Sequence, residues 1–240
     1  MSDGVLLELQ DVHAHYSTSH VLHGVNLSAR RGITAIVGRN GMGKTTLVRT
    51  IMGLVEASSG TIRLKGQDVS GRKPYEVARL GVGYVPQGRA LFPSLSVEEH
   101  LIMLEARSRE PDGWTKDKVF ELFPRLEQRS KQSASSLSGG EQQMLAIGRA
   151  LATNPSVLIM DEPSEGLAPV ILDHLIDTCK SLLRSGITMI LVEQNLHTAT
   201  SLAEELHIMV SGQIVDRISS QTLMADRRAR ERYLGVQVRN

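Results

Sequence analysis

The chain has a single cysteine, one tryptophan and three phenylalanines in 240 residues, and its 27 Lys and Arg nearly balance its 26 Asp and Glu. One cysteine, Cys179, excludes an internal disulfide framework and any cysteine-cluster metal site; it fits a reducing compartment. Scarce aromatics argue against stacking platforms for single-stranded nucleic acid. A formal net charge of +1 gives no strong pull toward nucleic acid or anionic lipid. The longest apolar runs, such as "ITAIVG" and "ITMILVE", are strand-sized, far short of the roughly 18 residues a membrane helix requires. The opening "MSDGVLLELQDVH" lacks a basic segment followed by an apolar core, so no signal peptide is expected. A cytoplasmic location follows as the expectation, and membrane work would need another subunit to do the crossing. No internal repeat or low-complexity linker breaks the chain, and its length suits one well-buried domain with at most a small insertion.

What is there alternates between strands and helices. "VLLELQDVHAHY", "VLHGVNLSA" and "ITAIVG" read as strands, "TTLVRTIMGLV" as a helix, and "GTIRLKG" as strand again. From Pro93 to about Ser133 the spacing is helical, with "SVEEHLIMLEARSRE" and "DKVFELFPRLEQR" separated by the turn-like "EPDGW". A helix opened by Ser138, Gly139 and Gly140 follows, then the strand "VLIMDE", a helix over "VILDHLIDTCKSLLRSG" and the strand "TMILVE". "LHIMVSGQIVDR" reads as two strands joined by Ser-Gly-Gln. The near-continuous apolar character of "VLIMD" and "TMILV" predicts parallel strands buried on both faces, hence an α/β core.

Two motifs carry chemistry. Gly38-x4-Gly43-Lys44-Thr45, within "GRNGMGKTT", lies after a strand and before a helix, as a phosphate loop must. Backbone N–H groups of Gly38, Arg39, Asn40, Gly41, Gly43, Lys44, Thr45 and Thr46 are placed to converge on phosphate oxygens. Lys44 supplies charge to the β- and γ-phosphates and Thr45 a hydroxyl to Mg²⁺. The plainer alternative is a glycine-rich turn with a chance lysine. In "VLIMDEP" Asp161 ends a strand and can hold Mg²⁺ through water, while Glu162 can orient or deprotonate the attacking water. The two carboxylates could instead cap the next helix.

With these motifs, "VPQG" at Gln87 and the signature "LSGGEQQ", the chain resembles the ATPase subunits of ABC transporters from Val5 to about Val236. That resemblance implies one domain over 1–240: a P-loop NTPase core with parallel sheet, an antiparallel β-subdomain and a helical subdomain at about 93–136. It implies that Gln87 touches Mg²⁺ and the attacking water and that Tyr16 stacks on adenine. It further implies that Ser138, Gly139 and Gly140 complete the ATP site of a second subunit closing head to tail, as a helix N-terminus can. The cofactors implied are ATP and Mg²⁺.

Two positions depart from the general family pattern. Ala168 stands in "EPSEGLAP" where aspartate is usual, and Gln194 stands where most members have a histidine at the γ-phosphate; Glu165 has no evident role. The first two, with "GEQQMLAIGRAL", "ELFPRL" and the terminal "YLG", resemble the branched-chain-amino-acid-type importers, and the shorter of their two ATPases. The partners implied are a second ATPase (sister or self), two transmembrane permease subunits and, indirectly, a periplasmic binding protein, with no nucleic acid. The place implied is the cytoplasmic side of the inner membrane. Gln194 can donate to a phosphate oxygen but cannot become cationic, so hydrolysis is expected to be slow but real; His197 is a conceivable substitute. The rival readings are an exporter or lipid-moving ATPase, a soluble ABC protein on ribosomes or DNA, and a nucleotide-binding regulator without turnover. His13, His15, His20 and His23 are not expected to bind metal. The arginine-rich tail "DRRARERYLGVQVR" is expected to be a solvated helix face.

Overall fold

The computed structural model describes residues 4–105, 113–226, 228 and 231; residues 110–112 of the "EPDGW" turn and nearly all of the arginine-rich tail lie outside these. In chain order the elements are β1 (Val5–Tyr16), β2 (Ser19–Arg30), β3 (Ile33–Val37), α1 (Lys44–Ile51), β4 (Ala57–Leu64), β5 (Gln67–Asp68) and α2 (Pro74–Arg79). Next come β6 (Val82–Val85), α3 (Val97–Glu105), α4 (Lys116–Leu122), α5 (Pro124–Gln128), α6 (Gly139–Leu151), β7 (Val157–Asp161) and α7 (Pro169–Arg184). The last are β8 (Thr188–Glu193), α8 (Leu196–Leu202), β9 (Glu205–Val210), β10 (Gln213–Ser219) and α9 (Ser220–Ala225). They form two compact units, one of residues up to 80 and from 188 onward, the other of residues 81–187.

In the first unit β1 pairs antiparallel with β2 and with β4, and β4 with β5. A second set of strands runs β10-β9-β3-β8, with β3 parallel to both β8 and β9. The reason lies in composition. β3 is buried almost throughout and β8 throughout, as strands covered on both faces must be. β10 instead alternates between half-buried and exposed positions, so one of its faces remains open to water. Its turn from β9 is the two residues Ser211 and Gly212, with φ of 44° and 76°. Both values are positive, as the tight hairpin turn that matches strand twist demands. Gln213, expected in that turn, belongs to β10.

In the second unit β6 and β7 pair in parallel, and every residue of β7 is buried. The α/β class and the parallel pairing expected from the sequence are both present. The helix expected over "DKVFELFPRLEQR" is two helices. Pro124 has no N–H to continue α4 and is tolerated only in the first turn of α5, so Phe123 bends between them with φ −128° and ψ 74°. The buried ring of Phe123 makes the bend part of the core. Glu98 on α3 ties down the strand-poor region, accepting from Lys116 at 2.8 Å and from Lys131. Those two ammonium groups hold its carboxyl down at about 2. Cys179 is fully buried in α7. Among the described residues no helix is long and apolar enough to cross a membrane.

Candidate active site

The loop after β3 is shaped by what surrounds it. A Cβ on Gly38 would lie 2.5 Å from the Met209 carbonyl oxygen, so no side chain fits where the strand ends. Gly41 and Gly43 take φ of 79° and 98°, and Gly43 opens α1. Lys44, buried, folds back along the loop and donates from Nζ to the carbonyls of Gly38 at 2.8 Å and Arg39 at 3.1 Å. The ammonium is thereby fixed at the mouth of the helix. Thr45 is half-buried in the first turn of α1, Thr46 is buried beside it, and Arg39 and Asn40 are exposed.

The loop is also held from behind. Gly212 donates its N–H to the Met42 carbonyl at 2.9 Å, and its own carbonyl accepts from His23 N–H at 3.0 Å. The β9–β10 turn therefore clasps the phosphate loop and β2 together. A Cβ on Gly212 would meet the Val21 carbonyl oxygen at 1.9 Å. Sequence reasoning missed Gly212; a Ser-Gly pair between two short strands was the available signal.

Gln194 comes to the same end of the sheet. Val37 is in register with Glu193 on the parallel neighbour β8, and Gly38 N–H donates to the Glu193 carbonyl at 3.4 Å. The side chain of Glu193, buried, accepts from the backbone N–H of Gln194 and of Asn195, each at 3.1 Å. Its charge sits at the N-terminus of α8, where the helix dipole favours it. Glu193 was missed because "VE" at a strand end carries no distinguishing pattern. His197 is exposed on α8. Tyr16 stands at the tip of the β1–β2 hairpin, paired with Ser19, with 42% of its surface exposed.

In the second unit Gln87 and the two carboxylates share one sheet edge. Val85 is in register with Met160, so the chain leaves β6 and β7 at neighbouring carboxyl ends, where α/β sheets place their ligands. Asp161 and Glu162 are both buried. Glu162 takes φ 48°, a left-handed conformation uncommon for a side-chain-bearing residue and typical of functional turns. Ser138 caps α6: its hydroxyl accepts from Glu141 N–H at 3.3 Å, and Glu141 Oε2 accepts from Ser138 N–H at 2.8 Å. Burial pushes the Glu141 carboxyl up, but those two bonds and Arg129 outweigh it and leave it below the usual range. Gly140 has a packing reason too, since a Cβ there would lie 2.9 Å from the Ile171 side chain. Gly139 lies against the Arg89 guanidinium.

Each unit carries donors of its own: in the first, the glycine loop offers backbone N–H groups, one ammonium and the Thr45 hydroxyl, the set a phosphate group takes; in the second, Gln87 and Asp161 each offer a hard oxygen, the ligand type Mg²⁺ prefers. Elsewhere the four histidines come together. His13 Nδ1 lies 3.0 Å from His20 Nε2, and the His20 ring centroid is 4.1 Å from that of His15 and 4.0 Å from that of His23. Among the described residues no group of three or more His, Cys, Asp or Glu has an arrangement that could hold a metal ion.

A family model described as "ABC transporter" matches residues 22–165, more than half of the chain. The chain belongs to the ABC transporter family. Two ABC relatives match over nearly the full length of both chains. The high-affinity branched-chain amino acid transport ATP-binding protein BraG of Pseudomonas aeruginosa is 40% identical over 232 residues, covering 96% of this chain and 100% of BraG. The probable branched-chain amino acid transport ATP-binding protein LivF of Archaeoglobus fulgidus is 32% identical over 234 residues, covering 96% and 99%. Among solved structures, a nucleotide-free ATP-binding cassette from an ABC transporter superposes with a TM-score of 0.82 at 25% identity, over 97% of this chain and 99% of that one. An ABC cassette in its ADP conformation gives 0.81 at 27% identity, over 97% and 99%. The ABC resemblance read from the motifs is borne out, and with it the α/β fold and the branch suggested by "EPSEGLAP" and Gln194.

Proposed function

We propose that this chain is the ATP-hydrolysing subunit of an importer for branched-chain amino acids or related small polar solutes such as urea or short amides. The observation that carries the reading is the match to BraG over 96% of this chain and all of BraG, with Lys44, Asp161 and Glu162 all present. The chemistry follows from the residues. Lys44 and the loop N–H groups neutralise the β- and γ-phosphates, and Tyr16 offers its exposed ring to adenine. Thr45, Asp161 and Gln87 would be the residues to hold Mg²⁺, which would supply charge neutralisation to the phosphates. Glu162 accepts a proton from the attacking water, and Gln194 donates to a γ-phosphate oxygen.

Ser138, Gly139 and Gly140 face the nucleotide of a second ATPase subunit, a sister or a copy, so ATP closes the pair and hydrolysis lets it open. The pair works beneath two permease subunits at the cytoplasmic face of the membrane, supplied by a periplasmic binding protein. Glu162→Gln in the purified complex tests the core of this reading. Phosphate release falls at least about a hundredfold, the scale of removing a general base, while nucleotide binding persists. Unchanged turnover sinks the assignment of Glu162. Co-purification from native membranes tests the rest: two permease-sized proteins and a second ATPase are expected, and ribosomal or purely soluble partners refute the transport role.

A further inference from the structure

The turn after Glu162 makes a contact that the proposed chemistry leaves unused. Glu165 donates its backbone N–H to the Glu162 carbonyl at 3.1 Å. Its side-chain Oε2 accepts from Gln87 Nε2 at 3.1 Å. The same residue is held a second time, because Arg89 Nη2 donates to the Glu165 backbone carbonyl at 3.4 Å. Arg89 also reaches α6, donating from Nη1 to Gln142 Oε1 at 3.3 Å. The segment after Gln87 is a tightly wound one. Gly88, Arg89 and Ala90 take φ of 73°, 69° and 46° in succession, and non-glycine residues hold such values only when their surroundings enforce them. Arg149, near the end of α6, does so by donating to the carbonyls of Arg89 at 3.1 Å and Ala90 at 2.6 Å.

A primary amide has two chemically opposite ends of nearly equal shape, one that donates and one that accepts. A carboxylate only accepts. Opposite Glu165, therefore, Gln87 must present its NH₂ group, and its carbonyl oxygen is turned the other way. Binding a hard cation requires that oxygen and has no use for the NH₂. We propose that Glu165 is a positioning residue for the ATPase reaction, fixing the flip of the Gln87 amide so that Oε1 is the end offered to magnesium. The inference rests on the reading of Gln87 as a magnesium ligand. Glu165 itself touches neither metal nor nucleotide in this role. Through the Glu165 N–H to Glu162 carbonyl bond, one short turn sets both the amide and the proposed base.

The test compares Glu165→Ala, Glu165→Gln, Gln87→Ala and the double variant Gln87→Ala/Glu165→Ala, all in the full chain. Three quantities are read: kcat and KM for ATP; the Mn²⁺ concentration that half-saturates the ATP-bound protein, by electron paramagnetic resonance; and ATP affinity without divalent metal. Glu165→Ala lowers kcat by about three- to tenfold, the scale of one exposed charge-assisted hydrogen bond. It raises half-saturating Mn²⁺ by a similar factor and leaves metal-free ATP affinity unchanged. Glu165→Gln, whose own carbonyl can accept from Gln87, retains most of both properties. The double variant is no worse than Gln87→Ala alone. If Gln87→Ala impairs metal binding and turnover but Glu165→Ala changes neither, or if the two effects add, Glu165 does not act through Gln87 and the inference falls with the metal-ligand reading intact. If Gln87→Ala itself changes nothing, the metal-ligand reading falls and takes the inference with it.

Discussion

Gly212→Ala isolates the clasp behind the phosphate loop. The added methyl would lie 1.9 Å from the Val21 carbonyl oxygen, so the β9–β10 turn must move by more than an ångström. Two hydrogen bonds go with it, Gly212 N–H to Met42 and His23 N–H to Gly212, each contributing about 1 kcal/mol. An alanine held at φ 76° adds roughly 1–2 kcal/mol of left-handed strain. The sum is about 3–4 kcal/mol, or a Tm drop of roughly 6–16 °C at about 2–4 °C per kcal/mol for a chain of this size. Gly66→Ala is the control, because φ there is 78° but nothing lies within 4 Å of the added methyl. It carries the strain alone, and its Tm should fall by no more than about 8 °C. Differential scanning calorimetry of both variants, with and without MgATP, reads the difference. The clasp also predicts that Gly212→Ala loses most of the stabilisation MgATP gives the parent, since Met42 is no longer anchored. Equal Tm drops for the two variants, or undiminished stabilisation by MgATP in Gly212→Ala, would refute the reasoning.

Two further outcomes follow. Glu193→Ala leaves the N–H groups that start α8 without their buried acceptor, which costs about 1–3 kcal/mol; it lowers the urea midpoint and, by loosening Gln194, the turnover. A parent-like midpoint would contradict the role given to Glu193. Burial depresses His100 and His207, and desolvation within the imidazole stack followed by repulsion from His23 and His15 depresses His20. The unfolded chain thus takes up these protons first as pH falls below the ordinary value of 6.5. Stability is full above that pH and is lost below it. Tm measured from pH 7.5 to 5.5 should fall, and His20→Asn should flatten part of the slope; a rise in Tm on acidification would reverse the sign of the argument.

Local pattern made much of this molecule legible. The apolar runs "ITAIV", "VLIMD" and "TMILV" became the buried strands β3, β7 and β8 because burial on both faces leaves no other composition. Gly43 and Lys44 could be placed because a loop between strand and helix constrains its own residues. What stayed hidden depends on partners far along the chain. Glu165 was uninterpretable because its partner is Gln87, 78 positions earlier. Gly212 gave no hint of its debt to Met42 and Val21. The break at Phe123 was missed for another reason: helical spacing continues through "ELFPRL", and only the missing N–H of Pro124 separates α4 from α5.

The sole cysteine has a practical consequence. Cys179 is sealed within α7, and a buried apolar thiol is inert toward modifying reagents. The native chain therefore serves as its own dark background for site-specific spectroscopy. A cysteine introduced at the exposed Ser17 or Ser135 would take a maleimide dye or a spin label alone. Pairs of such labels on two subunits would report, as a distance distribution, whether and when nucleotide draws them together.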